Sequence, residues 1–180
     1  MTGGIACGKS LLSRYLNELG VATLDADDIV HDLIPDPAER RRLAAEVFAD
    51  PEKRKALEAR LHPQVLARFT AWFEGTDGAT GTTGTDGTKI AIIPLLFEVH
   101  WDKYFDIICT VASSREKQIE RMTATRGYSR EEAEARLAAQ LPVAAKAEKS
   151  HYVIANDGTA ADLRKEAERF VNWLKEKEHG

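Results

Sequence analysis

An α/β fold, a parallel sheet with helices on both faces, is predicted by three features of this sequence. Short apolar runs of strand length recur along the chain, stretches of helical spacing separate them, and a glycine-rich turn leads directly into the first helix. Strands buried on both faces read as continuous apolar runs, and their alternation with helices marks a parallel sheet.

After Ser10 the apolar residues Leu11, Leu12, Tyr15, Leu16 and Leu19 recur at helical spacing, and Gly20 suits the helix end. VATL (21–24) is a short buried strand that runs into DADD. DPAERRRLAAEVFA and DPEKRKALEARL each offer an Asp N-cap followed by Pro at the first helical position. HPQVLARFTAWF reads as a further helix, its start marked by Pro63. EGTDGATGTTGTDGTK (74–89) holds almost nothing that could pack and reads as a flexible surface loop. KIAII (89–93), closed by Pro94, and FDIICTVA (105–112) are the next strands. Capping boxes pair Ser113 with Glu116 and Ser129 with Glu132, the second opening REEAEARLAAQL. HYVIAN (151–156) is the last strand. The final helix runs from Ala160 to Lys177, apolar at Leu163, Ala167, Phe170, Val171 and Leu174.

Composition excludes several classes. With 180 residues and 43% hydrophobic content the chain can bury a core without disulfides or metal staples. A net charge of −4 gives no basic field for nucleic acid. No apolar run approaches the roughly 20 residues of a membrane span, and no secretory signal precedes Gly3. Cys7 and Cys109 show neither pairing nor metal spacing, so they read as reduced thiols in a cytoplasm. His31, His62, His100, His151 and His179 form no ligand cluster. Oligomeric state is not legible.

Gly3–Ser10 fits G-x-x-x-x-G-K-[ST], a phosphate-binding loop. Glycines let successive N–H groups converge on phosphate oxygens, and the helix that follows points its positive end at the same place. Lys9 would reach the β- and γ-phosphates of a nucleotide, and the Ser10 hydroxyl would enter a Mg²⁺ shell. Only Met1 and Thr2 precede Gly3, so the strand that normally leads into such a loop is expected to be missing or encoded upstream. Asp25, Asp27 and Asp28 follow the second strand, at the edge where open α/β sheets bind ligands. A carboxylate there can take the proton of an attacking hydroxyl. In an extended segment Asp25 and Asp27 would share a face, whereas the same residues could equally be a cap cluster opening the DIVHDLI helix.

TGGIACGKS, DAD, VFADPEKRKALEARLHPQV, IPLLFEVHWDKYFD, ERMTATRGYSREEAEARLAAQ and ANDG together resemble the dephospho-coenzyme A kinase family, in the family's order, from Thr2 to about Leu174. The resemblance implies transfer of the ATP γ-phosphate, with Mg²⁺, to the ribose 3′-hydroxyl of dephospho-CoA, the last step of coenzyme A synthesis. It implies one kinase domain over 1–180, with a helical acceptor-binding region at 32–73 and a lid at 115–148. Asp27 matches the second Asp of the family motif and becomes the general base. Gly4, Ile5, Ala6, Cys7, Gly8, Lys9, Ser10 and Leu11 match the nucleotide loop, and Asn156 with Gly158 matches a turn near the adenine. Arg121 and Arg126 match lid arginines that approach the phosphates; Gln140 and Lys146 match a lid Gln and a basic residue. His62 falls in the segment that cradles the acceptor.

Departures accompany the match. Ile34 passes almost directly to Pro37, where the family carries a further segment over the acceptor. Ile92 stands where the family often has Asp, and Leu11 where Thr commonly follows the Ser. Two other readings therefore compete: a small-molecule kinase of the nucleoside-monophosphate type, and a trimmed relative that binds nucleotide without catalysis.

Overall fold

The computed structural model describes residues 1–76 and 87–178, so most of the Gly/Thr-rich segment read as a surface loop lies outside the described residues. The chain divides into two compact units, Met1–Thr23 with Thr82–Gly180, and Leu24–Gly81.

In the first unit, β1 (Thr2–Gly3) pairs in parallel with β4 (Cys109–Ala112), Thr2 opposite Thr110. β4 pairs in parallel with β5 (Tyr152–Ala155), Cys109 opposite Tyr152. The Met1 nitrogen donates to the Ala91 carbonyl at 2.6 Å and the Ile93 N–H to the Met1 carbonyl at 2.9 Å. One residue bonded to positions 91 and 93 is the pattern of a parallel ladder, which joins β3 (Lys89–Ile92) to the free side of β1. β2 (Ala22–Asp25) pairs with β3. Thr2–Gly3 thus form a short first strand in the place where the sequence leads one to expect it missing or encoded upstream. It escapes sequence reading because two residues held by backbone bonds on both sides need no apolar run.

Helices α1 (Lys9–Glu18) and α8 (Ala160–Glu178) pack together, and α7 (Val143–Glu148) lies against β4 and β1. Leu12 and Leu16 of α1 and Leu163, Ala167 and Phe170 of α8 meet Ile92, Val111 and Ile154 of the sheet in one buried core. Tyr152, Phe170 and Trp173 form an aromatic cluster beside it. β4 starts at Cys109 rather than Phe105, because Asp102–Tyr104 forms a 3₁₀ turn and Ile107 stays exposed. α5 (Arg115–Arg126) is capped by Ser114, not Ser113. Ser113 is buried at the sheet edge, where its hydroxyl donates to the Asn156 carbonyl at 2.7 Å. α6 (Arg130–Ala138) carries the Ser129–Glu132 capping box as expected. α7 went unforeseen; six residues show no readable period.

The second unit holds α2 (Ala26–Leu33), α3 (Pro37–Ala49) and α4 (Pro51–Glu74), the last two capped by Asp36 and Asp50 as the Asp-Pro pairs predict. Two helices were expected around Pro63, and one is found. A proline inside a helix costs about 3 kcal/mol. Leu61, Val65, Phe69 and Trp72 form a buried stripe across it, each contributing roughly 1.5–3 kcal/mol, so burial carries the helix through.

Candidate active site

The loop from Gly3 to Ser10 is defined by what holds its carbonyls. Lys9 Nζ donates to the carbonyls of Gly3 at 3.0 Å and Gly4 at 2.9 Å. Gln118 of α5 donates to Ile5 O at 2.7 Å, Arg121 to Ala6 O at 3.2 Å, and Asn156, just after β5, to Cys7 O at 2.8 Å. Leu12 N–H takes Gly8 O at 3.0 Å. Ala6 is left-handed at φ 58°, a conformation that costs a non-glycine residue roughly 1–2 kcal/mol, and the Arg121 bond helps to hold it.

With the carbonyls turned outward, the N–H groups of Ala6, Gly8, Ser10 and Leu11 find no acceptor among the described residues. α1 starts with no side-chain cap and no acidic residue in its first turn. Most helices close that end with an oxygen; this one leaves it open and adds Lys9. Open N–H groups, a helix N-terminus and an ammonium make a site for a polyphosphate.

The remaining residues of this unit divide sharply. Gln140 accepts from Ile5 N–H at 3.1 Å, so two glutamines grip one residue of the loop. Arg121 also reaches Ser113 Oγ at 2.9 Å and Asn156 O at 2.7 Å. Lys146 has no exposed surface; its ammonium lies 2.8 Å from Glu98 and donates to Pro94 O at 2.7 Å. Glu98 Oε1 accepts Leu141 N–H at 3.0 Å, while its buried Oε2 has no hydrogen-bond partner. Arg126 is exposed on the last turn of α5. A cavity of about 600 Å³ opens beside the loop, lined by Gly4, Ser113, Gln118, Gln140 and Pro142 among others. Burial raises the Cys7 thiol pKa, outweighing the nearby Lys9 charge, so Cys7 offers its backbone and not a thiolate.

In the second unit, the Asp25 carboxylate accepts Asp27 N–H at 2.9 Å and caps α2. Asp27 is therefore helical and exposed, and it does not alternate with Asp25 along an extended segment. His62 stands half-buried inside α4, one residue before Pro63.

Among the described residues no three acidic, His or Cys side chains cluster as metal ligands, and Ile92 is core. The exposed hydroxyl of Ser10 beside the polyphosphate site suits Mg²⁺, which keeps several waters and takes phosphate oxygens with one or two protein ligands.

The sequence profile of dephospho-CoA kinase matches residues 1–39 and 37–162. The chain belongs to the dephospho-CoA kinase family. A dephospho-CoA kinase of Bdellovibrio bacteriovorus is 33% identical, covering 98% of this chain and 95% of its own. That of Geobacter sulfurreducens is 34% identical, covering 97% and 96%. The crystal structure of TT1252 from Thermus thermophilus superposes with a TM-score of 0.76 at 32% identity, over 96% of this chain and 95% of that one. Both named relatives are dephospho-CoA kinases, and this chain, as a member of that family, is an ATP-dependent kinase acting on dephospho-CoA. The nucleoside-monophosphate reading is not favoured. The profile match divides at residues 37–39, just after the short passage from Ile34 to Pro37. The Bdellovibrio alignment spans 199 positions, more than the 180 residues here, so the relative carries segments that this member lacks. No helix among the described residues is long and apolar enough to cross a membrane.

Sequence reasoning missed Gln118 and Glu98. Glu98 lies in a quoted family segment without a role, and the only trace of Gln118 is a glycine at position 4, where the loop motif allows any residue.

Proposed function

We propose that the chain phosphorylates the 3′-hydroxyl of dephospho-CoA by direct in-line transfer from Mg²⁺-ATP. The observation that carries this reading is the open, uncapped start of α1 with its outward-turned loop carbonyls and Lys9. In this reading Gly4–Leu11 hold the triphosphate, with Ser10 the protein ligand of Mg²⁺. The bound ion supplies neutralisation of charge on the β- and γ-phosphates. Asp27, an exposed carboxylate with its main chain fixed by Asp25, takes the ribose proton. Exposed Arg126 is the lid residue suited to the charge of the transferring phosphoryl group. Residues 115–148 act as the lid and 32–73 as the acceptor-binding region, with His62 facing the acceptor. Lys146, buried on Glu98, serves by fastening the segment after α6, and Gln140 by holding Ile5. Closure of the lid would exclude water and limit wasteful ATP hydrolysis. The free, buried thiols of Cys7 and Cys109 suit a reducing cytoplasm, and the net charge of −4 fits small-molecule rather than nucleic-acid partners.

The test follows ADP and coenzyme A together in a mixture of the chain, Mg²⁺-ATP and dephospho-CoA. Equal appearance of both products is expected. ADP formed without coenzyme A would overturn the acceptor assignment.

A further inference from the structure

Gly4 has an ordinary backbone conformation, and its place in the loop motif tolerates any residue. A Cβ there would lie 2.5 Å from Gln118 Nε2. A Cβ on Gly8 would lie 2.2 Å from Asn156 Nδ2. Two side-chain amides thus rest directly on two loop glycines, and each donates to the carbonyl one residue away from its glycine, Ile5 O and Cys7 O. Both amides are buried, 4% and 6% exposed. Asn156 is itself fastened: its N–H goes to Ala112 O at 2.7 Å, and its carbonyl receives Ser113 and Arg121.

We infer that Gln118 and Asn156 are positioning residues of the kinase reaction, which hold the Ile5 and Cys7 carbonyls away from the polyphosphate so that the loop's N–H groups face it before nucleotide arrives. The inference rests on the loop binding the ATP phosphates as proposed above. It moves Asn156 from the adenine to the phosphates: its amide is occupied by Cys7 O, not aimed at a base. A donor is required at both places. A carboxylate or a thioether of similar size leaves a loop carbonyl without its partner, and that carbonyl can turn inward against the phosphate charge. Gly4 then leaves the room that Gln118 needs, since a Cβ there meets the amide at 2.5 Å, closer than it meets Cys7 Sγ at 3.1 Å.

Calorimetry with inorganic tripolyphosphate and with ATP, each with Mg²⁺, separates the roles on the full chain. Gln118→Met and Asn156→Asp are expected to weaken both ligands by the same factor, on the order of tenfold for one lost hydrogen bond. KM for ATP should rise in step while KM for dephospho-CoA stays at its wild-type value. Gly4→Ala should weaken binding as Gln118→Met does, and the double variant should be no worse than Gly4→Ala alone. Gln118→Met carries the test if Asn156→Asp does not fold. Loss of ATP with tripolyphosphate binding intact would assign the residue to the base and overturn the inference. A lowered Tm with both affinities unchanged would overturn it in favour of a purely structural role. Failure of the wild-type chain to bind either ligand would instead overturn the phosphate-loop reading itself.

Discussion

The phosphate loop and the helix that carries Asp27 are built in opposite ways. Every loop carbonyl from Gly3 to Cys7 has a side-chain donor, three of them from residues more than a hundred positions away. The start of α2 is fixed by a neighbour, Asp25, and leaves the Asp27 carboxylate exposed. Ring-fencing of the loop fixes its carbonyls in one orientation, which suits the proposed binding of a polyphosphate. The exposed carboxylate stays open to water, as the proposed base must be if an acceptor hydroxyl is to reach it. The loop is organised largely by tertiary contacts, and the start of α2 by a local one.

That contrast can be broken most severely at Lys9. Lys9→Ala removes both the ammonium and the bridge to the Gly3 and Gly4 carbonyls, so steady-state kinetics should show kcat reduced by ~10³-fold or more and KM for ATP raised as well. Asp27→Asn should lower kcat by ~10²–10⁴-fold with ATP affinity measured by calorimetry unchanged. Near-normal turnover of Asp27→Asn would show that the local end does not supply the base.

Smaller effects test the scaffold beneath the loop. Lys146→Met leaves half-buried Glu98 without its cation, and urea unfolding should show a loss of roughly 1–3 kcal/mol. Adding Glu98→Gln should restore part of it, because the stranded charge is then removed. Least is expected from alkaline pH. Burial pushes the Cys109 thiol up to about 12 and raises Cys7 as well. Unfolded thiols ionise near pH 8.5. Stability from these groups is therefore complete below that pH and falls as pH rises towards 12. Both cysteines belong to the first unit, and Cys109→Ala should flatten the alkaline slope of its unfolding.

The sequence made legible whatever is encoded locally. The Asp36 and Asp50 caps, the Ser129–Glu132 box, the strands at KIAII and HYVIAN and the loop itself all follow from residues close in the chain. What escaped depends on distant partners. Two residues serve as β1 because β3 and β4 flank them. Ser113 forsakes its cap for a carbonyl 43 positions on. Pro63 does not end α4, because a buried stripe spans it. In the candidate site the loop and Asp27 were readable as types in a pattern. Gln118 was not, since a lone Gln on a helix carries no signal until the loop it touches is folded beside it.

Pro63 has one more consequence. It has no N–H to give to the carbonyl one turn earlier, and it divides α4 into a mostly exposed first part and a second part in which Val65, Phe69 and Trp72 are buried. The two halves of one continuous helix should therefore differ in how often they open. Amide deuterium uptake should run fast from Glu52 to Arg60 and slow from Val65 to Trp72. Within α4, a protease added to the native chain should cut on the amino-terminal side of that proline before it cuts on the other.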